Sequence, residues 1–147
     1  MCNYLFVAAD QPLPTLARNE ESPCVYVTEA SDPELAAMRH WLTKPFIYDI
    51  GSHLGCGCPF SCEPNWDNPS EDDLREWSDN RRDFGQLATY LEGAIALAGP
   101  VEVYNGFDYW EPPLQRRSIS IRDLRGDRFV FDERELVTVQ GSTIAEA

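Results

Sequence analysis

Apolar and polar positions divide this chain into short segments of two different periods. Residues 2–9, Cys-Asn-Tyr-Leu-Phe-Val-Ala-Ala, are almost continuously apolar and aromatic. Such a run predicts a central strand covered on both faces. Asp10-Gln-Pro-Leu-Pro14 ends it, because proline cannot continue a ladder. After a polar loop over 15–23, the β-branched and aromatic residues of Cys24-Val-Tyr-Val-Thr28 predict a second strand. Phe46-Ile-Tyr-Asp-Ile50 predicts a third.

Two segments carry helical spacing. Ser31-Asp-Pro-Glu34 has the form of a helix start, with a capping hydroxyl, a proline in the first turn and a glutamate placed to reach back. Leu35, Met38, Trp41 and Leu42 then form one apolar face, which Thr43-Lys-Pro45 stops. Ser70 is placed to cap a longer helix, with Glu71, Asp72 and Asp73 at its positive end. Leu74, Trp77, Phe84, Ala88, Leu91, Ile95 and Ala98 continue as a stripe to the stop at Gly99-Pro100. Asp79, Asn80 and Gly85 are weak helix formers, and Arg81 falls on the apolar stripe, so a kink or split is expected near 79–85.

Strand patterns return after residue 100. Val101-Glu-Val-Tyr104 alternates, and Asn105-Gly106 suits a turn. Phe107-Asp-Tyr-Trp110 is either a returning strand or an aromatic loop closed by Glu111-Pro-Pro113. Ser118-Ile-Ser-Ile-Arg122, Arg128-Phe-Val-Phe131 and Leu136-Val-Thr-Val139 complete the set, with a turn at Arg125-Gly-Asp127. The expected fold class is α+β: a mostly antiparallel sheet of about six to seven strands, two main helices on one face, and a long Cys/His loop. One globular domain is expected over 1–140, with a flexible tail over 141–147.

Composition narrows the function classes. The chain has 147 residues and 43% hydrophobic residues, enough for a packed core. No apolar run approaches bilayer length, and the start lacks a basic segment before its short apolar run, so the expected compartment is the cytoplasm. Twenty-five acids against 12 bases give a formal charge of −13. That excess opposes binding to nucleic acid or to anionic membranes, and favours a basic protein partner.

The chemistry concentrates in Gly51-Ser-His-Leu-Gly-Cys-Gly-Cys-Pro-Phe-Ser-Cys62. This stretch leaves a strand end and opens an irregular segment running to Ser70, a length usually associated with function. His53, Cys56, Cys58 and Cys62 are candidate zinc ligands, because zinc takes thiolate and imidazole in tetrahedral sets. Intervening glycines let the backbone turn tightly enough for them to converge. Cys2 or Cys24, each at a predicted strand, are further thiols able to join; otherwise both are expected as small buried apolar residues. Five cysteines, three of them within 56–62, do not suit a disulfide framework.

Three functions follow as expectations. The first is a structural zinc site that fixes the long loop. The second is an acidic interaction module, immunity- or antitoxin-like, that covers a basic protein. The third is thiol redox chemistry at Cys56-Gly-Cys58, for which His53 is the only local group able to lower a thiol pKa. No phosphate loop, catalytic triad or carboxylate pair stands out. Met1-Cys2 is similar to the start of N-terminal nucleophile amidotransferases, whose domain is much larger than this chain. Tyr104, Phe107, Tyr109 and Trp110, with Asp108 and Glu111, are expected as core plus a proline-locked turn. The acids from Asp67 to Asp83 suit a solvated helix face, and His40 a surface position.

Overall fold

A computed structural model describes residues 2–21, 24–108 and 111–141. Its strands are β1 (Tyr4–Ala9), β2 (Tyr26–Glu29), β3 (Phe46–Gly51), β4 (Val101–Gly106), β5 (Gln115–Ser120) and β6 (Glu135–Gln140). Its helices are α1 (Asp32–Met38), α2 (Glu71–Ala98) and α3 (Ile121–Leu124), with one 3-10 turn over Cys58–Phe60. The strands form one six-stranded sheet in the order β2-β3-β1-β4-β6-β5. All pairs are antiparallel except β5 with β6. The fold is α+β, as the segment pattern implies.

β1 lies between β3 and β4, and Leu5 through Ala9 are fully buried. That matches the near-continuous apolar run of residues 2–9. Alternate side chains of the sheet enter two separate cores. Leu5, Val7, Ile50, Val103 and Val137 pack with Phe84, Leu87 and Leu91 of α2. Phe6, Ala8, Ile47, Tyr104 and Leu136 pack with Met38 and Leu42 at the end of α1. The two main helices therefore cover opposite faces, where the sequence led us to expect one. A central strand with no polar side on either face needs a cover on both.

Other differences have local causes. α2 runs unbroken for 28 residues, so it is not split at 79–85. The space beside Gly85 is open, and Arg81 stacks on Trp77 and Phe84, with its guanidinium carbon 4.2 and 4.0 Å from their ring centroids. Ile121 and Leu124 belong to a helix turn, because Ser120 and Asp123 form a capping box. Residues 128–131 are not in the sheet. Phe129 and Phe131 instead pack on Phe84, 6.0 and 6.1 Å between centroids. The capping boxes at Ser31 and Ser70 are present as expected. His40 is exposed. Tyr104 is buried, and its hydroxyl donates to the Asp108 and Glu111 carbonyls; Tyr109, Trp110 and residues 142–147 lie outside the described residues. No described helix is long and apolar enough to cross a membrane.

Asp49 on β3 lies on the α1 side of the sheet, in register with Phe6 and Thr28. Burial, and then the charge of Glu34, push its carboxyl up to about 6. The folded state thus holds this proton more tightly than the unfolded chain, whose carboxyl keeps its ordinary value of 3.8. The stability contributed is present at low pH and is lost as pH rises from about 3.8 to about 6. Asp49→Asn is expected to raise the Tm by a few degrees at about pH 7, the gain shrinking toward about pH 4. Thermal melts across that range check it, and a gain independent of pH would show that ionisation is not the cause.

Candidate metal centre

The loop after β3 is shaped by close backbone approaches. Gly51 ends β3 opposite Tyr26, and a Cβ there would lie 2.0 Å from the tyrosine Cζ. Only glycine lets that ring lie over the strand end. The Tyr26 hydroxyl then donates to the Gly55 carbonyl at 3.0 Å. Ser52 N–H donates to the Cys56 carbonyl at 3.1 Å and Gly55 N–H to the Ser52 carbonyl at 2.9 Å, which closes residues 52–56 into a compact turn. Phe60 anchors the far side. It is fully buried, its ring meets Phe84 of α2 edge-on at 5.3 Å, and its carbonyl accepts from Phe131 N–H at 2.9 Å.

Between these anchors the loop is joined to the start of β1. Gly57 N–H donates to the Asn3 carbonyl at 2.9 Å, and Asn3 N–H donates to Cys58 Sγ at 3.3 Å. A Cβ on Gly57 would stand 3.0 Å from the Asn3 oxygen and 3.0 Å from the Leu5 nitrogen. The glycine between the two cysteines is therefore what allows the approach. The result is that the Sγ atoms of Cys2, Cys56 and Cys58 all lie within 4.8 Å of one another. Around tetrahedral zinc, sulfurs about 2.3 Å from the ion are separated by roughly 3.8 Å, so a small contraction suffices.

Burial first, and the neighbouring sulfurs of Cys58 and Cys2 after it, push the Cys56 thiol up to about 12. Such a thiol keeps its proton at neutral pH unless a positive charge stands beside it. Arg18 stacks over Tyr26 at 5.5 Å, a cation near the loop that its sequence position does not reveal.

The four residues singled out in the loop are divided. Cys56 and Cys58 join Cys2. His53 turns the other way, its Nδ1 held by Asp83 Oδ2 on α2. Asp83 is fully buried, and a buried carboxylate needs a donor more than the sulfurs need an imidazole. Burial pushes the Asp83 carboxyl up and the His53 partner draws it back. Cys62 is exposed and lies along α2 with Glu76 and Asn80. Cys24 is half-buried and outside the trio.

Cys2 is exposed, not a core residue, since the sheet begins only at Tyr4. Its place was available from pairing. β1 runs antiparallel to β3 with Leu5 opposite Ile50, so residues before Tyr4 must lie beside residues after Gly51.

This chain matches no protein-family model, no curated protein and no solved structure. What the site does must be argued from its own geometry.

Two substitutions test that geometry. Gly57→Ala is expected to cost about 1–3 kcal/mol, because backbone atoms cannot yield to the new methyl group as a flexible side chain would. Chemical denaturation measures it, and an unchanged midpoint would mean that the approach to Asn3 is not close. His53→Ala leaves the Asp83 carboxyl without a donor and is expected to cost about 1–3 kcal/mol, while leaving metal uptake by the three cysteines in place. Loss of metal uptake in a folded His53→Ala protein would return the imidazole to the ligand set.

Proposed function

We propose that this is a small acidic cytoplasmic protein in which Cys2, Cys56 and Cys58 hold one zinc ion. The observation that carries the reading is the convergence of three thiols from two distant parts of the chain, enforced by the Asn3–Gly57 and Asn3–Cys58 hydrogen bonds. Thiolate donors suit zinc or another soft ion and do not suit magnesium or calcium. Bound there, the ion supplies the charge that offsets three neighbouring thiolates. It also fastens residues 2 and 3 to the loop, a segment whose ordering is otherwise costly.

Among the described residues the cluster offers three sulfur donors, so a zinc ion held there would keep one position for solvent. Three protein ligands plus water mark an accessible zinc, whereas closed structural sites use four. Cys2 is exposed, which agrees with an ion open to exchange. Thiol redox chemistry is the weaker reading. A nucleophilic sulfur needs a depressed pKa, and Cys56 is driven the opposite way.

Purified protein is expected to carry about one equivalent of zinc and to lose thermal stability when chelated. Affinity should rise with pH, because each thiol must release its proton to bind. Cys2→Ser should weaken binding by more than about 100-fold, since even outer partners of a metal ligand are worth 10–100-fold. Metal analysis and a competitive chelator titration decide the matter. Protein that takes up no zinc, with melting indifferent to chelator, sinks the proposal.

A further inference from the structure

The first turns of α2 and the chain just before them enclose a recess lined by Glu63, Asp73, Glu76, Trp77 and Asn80. Positions 73, 76, 77 and 80 recur at the spacing of one helix face, so the helix itself builds most of the wall. The recess has a volume of about 60 Å³, room for several waters or for one ammonium or guanidinium head in their place. Its three carboxylates are in no ion pair among the described residues, and no lysine or arginine lines it. Asn80 is the most buried of these residues, only 3% exposed, and its Oδ1 has no hydrogen-bond partner among the described residues. A buried carbonyl oxygen without a donor is costly. The recess therefore lacks two things at once, a positive charge and an N–H donor.

We propose that this recess receives a lysine or arginine side chain of a basic protein partner. Such a head carries several N–H donors and the missing charge together, so it pairs with Glu63 and Glu76 at the exposed mouth and donates to Asn80 Oδ1 at the base. Trp77 supplies an apolar wall for the methylene stem behind it. The surroundings suit a macromolecule more than a small free cation. Leu74, one turn before Trp77, is 46% exposed, and the exposed acids Glu71 and Asp72 precede it on α2. The chain's charge of −13 draws a basic protein in from a distance, and the recess then fixes where it seats. None of these features involves Cys2, Cys56 or Cys58, so the recess stands whether or not those thiols hold zinc.

The test is a titration of the isotope-labelled full chain with tetraarginine amide, followed by NMR. The largest shifts are expected at the Asn80 side-chain amide and the Trp77 indole N–H. Glu63→Gln with Glu76→Gln should weaken binding about tenfold, the sum of two exposed ion pairs. Glu20→Gln with Glu21→Gln removes the same charge outside the recess and should weaken it by about twofold at most, through screened long-range attraction. All four side chains are exposed, so both variants are expected to fold, and their spectra show it directly. Equal weakening in the two variants, or binding that leaves Asn80 unmoved, overturns the recess and leaves only a diffuse acidic surface. Spermine that shifts Asn80 at a lower concentration than the peptide makes this a polyamine site and overturns the protein partner. A spectrum that does not move at all at millimolar peptide overturns the proposal outright, and the zinc reading is untouched by any of these results.

Discussion

The contact between Gly57 and the first residues of β1 governs what this molecule can do. Two backbone segments approach until a single methyl group would not fit between them. The approach is fixed by a reciprocal pair of hydrogen bonds, one donated by Gly57 and one by Asn3. It sets Cys2 against Cys56 and Cys58, which arrive on the loop after the neighbouring strand β3. Without it the thiols are separate apolar side chains. With it their Sγ atoms all lie within 4.8 Å of one another, a spacing that a metal ion could bridge.

The rest of the fold holds the two partners of that contact still. β1 is clamped between β3 and β4, so its start has little freedom. The loop is held by Phe60 in the α2 core and by His53 on buried Asp83. Asp83 lies in the stretch of α2 whose composition argued for a break. The helix stays continuous because its awkward residues have tertiary partners: Asp83 takes His53, and Arg81 donates to the Gly126 and Phe129 carbonyls. Local propensity was outweighed by contacts from outside the helix.

Much of the architecture was legible in the residues. The apolar run of β1, the capping boxes at Ser31 and Ser70, and the stop at Gly99 all appear where pattern and capping chemistry put them. Segments that read wrongly share a cause. Phe129 and Phe131 look like strand residues, but their rings are wanted by Phe84, and an aromatic alternation does not say which neighbour it serves. The candidate site was half legible. Cys56 and Cys58, singled out by their spacing and glycines, do stand together, in company with Cys2. His53 and Cys62 belong to the same dense stretch, yet closeness in sequence says nothing of direction, and both face α2. Cys2 was obscured by its place at the edge of an apolar run, although strand pairing brings it to the loop.

The position of β1 in the sheet has a consequence for how the molecule is made. Its neighbour β4 begins at Val101, so β1 must wait for a partner far along the chain before its second edge is filled. Contacts this distant in sequence close slowly.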